Sequence, residues 1–421
     1  MERLTERKAL EEHQLKRLRA LVGRVLEANS FYRKKLPPNG SLHSLEDLKR
    51  FPFTTKRELV EDQLNHPPFG NNLTFPLEKY IRVHQTSGTT GQPMYWLDTR
   101  ESWEWWARCW KAIFEAAGVN ASDRIYFPFS FGPFIGFWAG WEGARKVGAL
   151  AISGAAQSTS QRLKAIMEYR ATVLVSTPTY ALHMLSEARK AGIDLAGSSM
   201  RVTIHAGEPG ASIPGTKKMI SEGWGARCYD HPGATEVGAY GFECGARPGA
   251  VHINEREFIA EVINPETGAP LAAGERGELV MTNLGRIGSP VIRYRTGDLA
   301  EPGFDPCACG RPYMLLQGGV LGRVDDMIII RGVNVFPSAI ENIMRELPEI
   351  EEFRVEAIQR EALSELKLTV EPQPEYASFK GLGEKVMQRV RESIGLRPQV
   401  EIVPPGTLPR FELKARRFFK S

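Results

Sequence analysis

From about residue 80 to 320 the chain alternates strand-like runs with amphipathic helical ones. "ATVLVSTP" (171–178), "MRVTIHAGEPG" (200–210) and "ARCYDHPGATE" (226–236) are β-rich, and each runs into Gly, Pro or Thr. This rhythm predicts an α/β fold with functional loops at the C-terminal ends of the strands. "GERGELVMTNL" (274–284) and "PVIRYRTGDLA" (290–300) then read as a β-ribbon. The rest is predicted as a small α+β domain. It has a helix in "SAIENIMRELPEI", strands in "EFRVEAIQ" and "ELKLTVEP", a helix in "KGLGEKVMQRVRESIG" and a strand in "QVEIVPPG". The expected boundary divides a domain of 1–324 from one of 325–421.

Two domains also suit the length, because 421 residues exceed what one hydrophobic core usually organises. Hydrophobic residues at 42% and charged residues at 25% describe a globular protein. A net charge of +4, scattered except at the C-terminus, gives no reason to expect a nucleic-acid partner. The opening "MERLTERKALEEHQLKRLRALVGRVL" is a charged amphipathic helix rather than a secretory signal. "FPFSFGPFIGFWAGW" is broken by Pro and Gly and too short for a membrane span. Five cysteines without a disulfide framework fit a cytoplasmic enzyme.

"QTSGTTGQP" (85–93) concentrates hydroxyls and glycines in one loop. Thr86, Ser87, Gly88, Thr89, Thr90 and Gly91 offer side-chain and backbone donors at close approach, as a phosphate requires. The Lys of the G-x-x-x-x-G-K-[ST] loop is absent. Alone, such a stretch is more often just a turn.

Its order T-S-G-T-T-G-x-P resembles the phosphate loop of adenylate-forming enzymes, and four further stretches match that superfamily in sequence order. In "HPGATEVGAYG", Thr235 would contact the α-phosphate and Glu236 would bind Mg²⁺, which favours carboxylate and phosphate oxygens. Where the family commonly stacks an aromatic ring on adenine, this chain has Pro232. Gly233, Ala234 and the loop of Ala206, Gly207, Glu208 and Pro209 would complete the nucleotide contacts, with Ala206 also facing the acid. In "YRTGDLA", Asp298 would accept both ribose hydroxyls. In "LGRVDDMIIIRGVNVFPSAIE", Arg323 would reach the nucleotide, and Asp325 would be the hinge on which the small domain swings. Gly332 and Asn334 would face the second substrate. In "LPRFELKARRFFKS", Lys414 would contact the carboxylate and α-phosphate. Leu413 replaces a commoner Gly, and without the resemblance this stretch is simply a basic tail.

The short length, the phrase "IIIRGVNVFPSAIE" and the cysteine pattern make the match most similar to the phenylacetate-CoA ligase group. That resemblance implies ATP, Mg²⁺, coenzyme A and a carboxylic acid as partners, with a homodimer compatible. It also leaves open a carrier-protein or hydroxyl acceptor, or a relative that binds nucleotide without catalysis.

Cys244, His252, Cys307 and Cys309 supply three thiolates and one imidazole, the set of a closed structural Zn²⁺ site. Four protein ligands leave no open position for catalysis. The group contains members with a comparable arrangement. Cys109 and Cys228 read as small core hydrophobes.

Seven of the eight Trp lie between 96 and 141. Those in "WEWWARCW" (103–110) have helical spacing and read as core. "FPFSFGPFIGFW" follows a strand, and its Gly and Pro argue for a loop rather than a helix. By the resemblance this region lines the acid pocket, with Phe131, Phe134 and Phe137 as an apolar wall suited to an aromatic or bulky acid.

Overall fold

In the computed structural model, the described residues are 6–86, 93–324, 328–330, 333–360, 363–411 and 415–420. Ser87, Gly88, Thr89, Thr90, Gly91, Asp325, Gly332 and Lys414 therefore lie outside them.

The alternating pattern forms a five-stranded sheet. Its strands run in the order Leu150–Ser153, Arg124–Phe127, Val173–Ser176, Val202–His205 and Arg227–Asp230, with every pairing parallel. Parallel strands need both faces covered, and the side-chain alternation shows how this is done. Ile125, Phe127, Val173, Val175, Val202 and Ile204 enter one core, whereas Tyr126, Leu174 and Cys228 enter the core on the opposite face. The helix Arg100–Ala116 brings Trp105, Trp106, Cys109 and Trp110 into the first core, as their spacing implied. The helices Thr159–Glu168, Pro178–Lys190 and Pro214–Trp224 cover the second.

The expected aromatic loop is shorter than the sequence suggested. Ile135–Val147 is a helix, so Phe137 is helical and only residues up to Phe134 belong to the loop. Two of its three glycines, Gly140 and Gly143, act as close-packing positions. A Cβ on Gly143 would meet Trp110 Cβ at 2.4 Å, and one on Gly140 would already touch Phe127 and Trp110. Two helices can approach this closely only with small residues between them, and that contact outweighs the weak helix propensity of Gly.

The expected β-ribbon is an antiparallel sheet ordered Phe258–Ile263, Gly277–Asn283, Tyr294–Ala300 and Gly322–Arg323. The N-terminal helix Arg7–Ala28 contributes Leu18, Leu21, Val22 and Val25 to a core shared with Ile259, Leu284 and Ile292. A third sheet orders Pro302–Gly303, Leu315–Gln317, Ala250–Ile253 and Gly241–Glu243.

The C-terminal domain has its own core, drawn from residues between Ile330 and Phe418. The helices Pro337–Arg345 and Leu382–Ile394 pack on a sheet ordered Gln399–Ile402, Leu363–Pro372, Ile350–Arg360 and Phe418–Lys420. The last strand corrects the basic-tail alternative. Phe418–Lys420 pairs in parallel with Val355–Ala357, and Phe418 packs against the core of the small domain. Among the described residues, no helix is long and apolar enough to cross a membrane.

Candidate active site and metal centre

Three loops follow the C-terminal ends of strands in the parallel sheet. Residues 128–134 follow Arg124–Phe127, 206–213 follow Val202–His205, and 231–240 follow Arg227–Asp230. The last two are tied at their base, where His231 N–H donates to His205 O at 2.9 Å. Strand ends of this kind are where α/β sheets place ligands.

The turn carrying Thr235 and Glu236 is closed by Ala234 and Gly238, whose backbone groups bond to each other at 3.1 and 2.9 Å. It is held from beneath by a residue the sequence reading missed. Arg286 donates to Thr235 O at 2.5 Å, and its other nitrogens grip Asp98 at 2.9 and 2.6 Å. Neither side chain of this pair is exposed. Arg286 is also sandwiched by Trp96 and Trp106, at 5.0 and 5.3 Å from the ring centroids. Asn283 adds a bond to Val237 O at 2.9 Å. The peptide units presenting Thr235 and Glu236 are thus fixed, leaving their side chains available.

Glu236 is nearly buried, and Lys56 Nζ lies 3.8 Å from its carboxylate. Lys56, at the start of the helix Lys56–Asn65, also went unremarked in the sequence. Asp298 lies in the strand Tyr294–Ala300 and pairs with Arg323. Its carboxylate accepts from Tyr240 Oη at 3.2 Å and Arg323 Nη1 at 3.4 Å. Gly297 sits at φ +74°, and a Cβ there would meet Arg323 Nη2 at 2.7 Å. Glycine is required so that Arg323 can lie across the strand. Tyr294, in the same strand as Asp298, is buried. Burial, with the nearby charges of Glu236 and Asp298, raises its hydroxyl pKa well above the usual value.

Thr86 closes the neck of the hairpin formed by Tyr80–Gln85 and Tyr95–Thr99. Its N–H donates to Met94 O at 2.9 Å, and its Oγ1 accepts Met94 N–H at 3.0 Å. Gln85 N–H donates to Pro133 O at 3.0 Å, joining the hairpin to the aromatic loop. Phe131 packs against Trp138 and Trp141 at 4.6 and 5.6 Å. Phe137 stacks on Phe129 at 3.6 Å, while Phe134 stays partly exposed.

Pro232 and Gly233 begin the Thr235–Glu236 loop, and Ala206, Gly207 and Pro209 begin its neighbour, all at least partly exposed. Gly207 adopts φ +94° to make that turn. Glu208 is differently engaged. Its carboxylate accepts Thr179 N–H at 2.9 Å and Ala415 N–H at 2.8 Å.

Away from these loops, Cys244, His252, Cys307 and Cys309 converge, with all four donor atoms within 4.8 Å of one another. His252 lies in the strand Ala250–Ile253, beside the strand ending just before Cys244. Cys307 and Cys309 sit on a turn closed by Gly310 N–H to Cys307 O at 2.9 Å. Cys244 Sγ is 3.7 Å from Cys307 Sγ and 3.5 Å from His252 Nε2, and Cys309 Sγ is 3.4 Å from His252 Nε2. Zinc bonds of about 2.3 Å to sulfur and about 2.0 Å to nitrogen put tetrahedral ligands about 3.8 Å (S to S) and about 3.5 Å (S to N) apart. The observed distances fit that geometry, and 3.7 Å is far too long for a disulfide.

Residues 53–285 match the AMP-binding enzyme family model, and residues 332–421 match its C-terminal domain. The phenylacetate-coenzyme A ligase of Thermus thermophilus is 32% identical, over 96% of this chain and 94% of its own. The chain belongs to the phenylacetate-coenzyme A ligase family. The Escherichia coli family member is also 32% identical, over 97% of this chain and 94% of its own. Among solved structures, a 2-hydroxyisobutyryl-CoA ligase in its postadenylation state superposes with a TM-score of 0.93 at 30% identity, covering 99% of this chain and 90% of that one. In its thioesterification state, the same ligase scores 0.74 at the same coverage. The two domains of this family member are therefore arranged as in the postadenylation state.

Proposed function

We propose that this enzyme, an ATP-dependent acid–coenzyme A ligase working through an acyl-adenylate, takes an aromatic or arylacetic acid. The hydrogen bond from Tyr240, on the loop that carries Glu236, to Asp298 at 3.2 Å supports the site assignment. The substrate class rests on the phenylacetate-coenzyme A ligases at 31–32% identity. It rests also on the aromatic cluster of Phe129, Phe131, Phe137, Trp138 and Trp141 beside Gln85.

The acid carboxylate attacks the α-phosphate of ATP, and pyrophosphate leaves. The coenzyme A thiol then attacks the acyl carbon, and AMP leaves. Both steps bring negative charges together, so the protein contributes positioning and electrostatics rather than a nucleophile. Asp298 accepts the ribose hydroxyls with Arg323 beside it, and residues 86–91 hold the β- and γ-phosphates. Thr235 and Lys414 face the α-phosphate. Gly207, Pro209, Pro232, Gly233 and Ala234 form the adenine surface, and Ala206, Phe131, Phe134 and Phe137 form the acid pocket. Glu236, with Lys56 close by, would hold Mg²⁺, which neutralises phosphate charge. Between the two steps, the small domain turns about Asp325.

The cysteine–histidine quartet would hold a structural zinc, tying the turn at Cys307 to the sheet containing His252. Five free cysteines fit a cytoplasmic setting.

Pyrophosphate release from ATP is to be measured with phenylacetate, benzoate and 2-hydroxyisobutyrate, with and without coenzyme A. Release driven by the aromatic acids, with coenzyme A converted to thioester, is expected. Preference for 2-hydroxyisobutyrate would overturn the substrate class, and release without coenzyme A consumption would overturn the acceptor.

A further inference from the structure

Lys414 lies in the C-terminal domain, yet its assigned work is at the large domain's strand ends. Something must hold its segment there during adenylation. The described residues on its C-terminal side show how. Ala415 N–H donates to Glu208 Oε2 at 2.8 Å, across the domain boundary. The other oxygen of Glu208 accepts from Thr179 N–H, in the first turn of the helix Pro178–Lys190, at 2.9 Å. A helix N-terminus is a favourable place for a carboxylate, so Glu208 is fixed from the large-domain side.

Arg417 completes the arrangement. It is almost fully buried and grips Glu352 with two bonds, at 2.6 and 3.0 Å. Its Nη1 lies 3.5 Å from Glu341 and donates to Thr179 Oγ1 at 3.4 Å. Thr179 therefore meets both sides of the segment, through its N–H to Glu208 and its hydroxyl to Arg417. Burial pushes the Glu208 carboxyl pKa up, while Thr179, Arg417 and Ala415 pull it back.

We propose that Glu208 is a positioning residue that latches residues 415–417, which follow Lys414 in sequence, to the large domain for adenylation and releases them for thioester formation. The inference rests on the adenylation role given to Lys414 above. Glu208 need not touch the nucleotide for this purpose. The domain arrangement shared with the postadenylation state is the one in which the latch is closed. Elsewhere on the interface, Arg189 donates to Gln373 Oε1 at 2.8 Å and Gly215 N–H donates to Asn342 Oδ1 at 3.0 Å. A cavity of about 400 Å³ separates the helix from the small domain, lined in part by Thr179, Arg345, Glu352 and Arg417. Ser186 to Glu351 at 2.7 Å is a separate polar contact across the boundary.

The test compares Glu208→Gln, Glu208→Asp and the remote interface variant Ser186→Ala in both half-reactions. The amide in Glu208→Gln must turn its NH₂ toward one of the two N–H donors, breaking a charge-assisted bond. Adenylation kcat should fall about tenfold or more with KM for ATP nearly unchanged. Thioester formation from supplied acyl-adenylate should stay near the wild-type rate, which shows that the variant is folded. Glu208→Asp should fall between Gln and wild type, and Ser186→Ala should behave as wild type. Equal loss in both half-reactions, a rise confined to KM for ATP, or the same defect in Ser186→Ala would overturn the latch. If the wild type shows no adenylation with any acid, it is the functional reading that fails.

Discussion

Arg286 and Asp98 form a fully enclosed ion pair beneath the turn that presents Thr235 and Glu236. Arg286 uses two nitrogens on Asp98 and the third on the Thr235 carbonyl, so one side chain links the hairpin strand Tyr95–Thr99 to the turn of Thr235 and Glu236. Asp98→Asn leaves the guanidinium charge buried without its partner and should cost about 3–5 kcal/mol in urea unfolding. Replacing the pair with Asp98→Leu and Arg286→Met should recover much of that stability. The double variant should still adenylate poorly, because the turn has lost its donor. Full activity in the double variant would show that the pair serves stability alone.

The zinc prediction is compositional as well as structural. Purified enzyme should carry stoichiometric zinc, and Cys244→Ser should lose most of it and lower Tm. Zinc-free enzyme with an unchanged Tm would refute a structural metal. Four protein ligands leave the metal no open position, so chelation should not change the pH profile of catalysis before the protein unfolds.

Acid should unfold this protein partly through its buried histidines. Burial pushes His231 down to about 4, and it stays neutral in the fold with Nδ1 against Gly241 O. In the unfolded chain it titrates near the ordinary value of about 6.5. The folded pKa is the lower one, so its contribution is present above about 6.5 and is lost as pH falls toward about 4, reaching about 3 kcal/mol. His231→Gln should flatten that part of the stability curve in urea unfolding between these pH values. An unchanged slope would place the acid sensitivity elsewhere.

What the sequence revealed followed its local signals. Glu236 and Asp298 could be singled out from short, unusual residue orders, one on a strand-end loop and the other within the strand Tyr294–Ala300. The small domain's helices and strands were readable because the hydrophobic period switches cleanly between 3.6 and 2. The cysteine–histidine quartet was legible as a set of residue types, although only folding brings Cys244 to Cys307. What escaped was set by distant packing. Nothing near Asp98 announces Arg286, and nothing near Glu208 announces Ala415. The helix from Ile135 was hidden because its glycines look like breakers until Trp110 is seen against them. Lys56 was hidden because a lysine at a helix start is ordinary until Glu236 is placed beside it.

The most direct test of a two-step site shared between two domains is Lys414→Ala, assayed in each half-reaction separately. Acid-dependent ATP–pyrophosphate exchange should fall about a hundredfold or more. Thioester formation from supplied acyl-adenylate and coenzyme A should remain near wild type, because the role proposed for Lys414 is confined to the first chemistry. Equal loss of both halves, or no loss in either, would contradict the account.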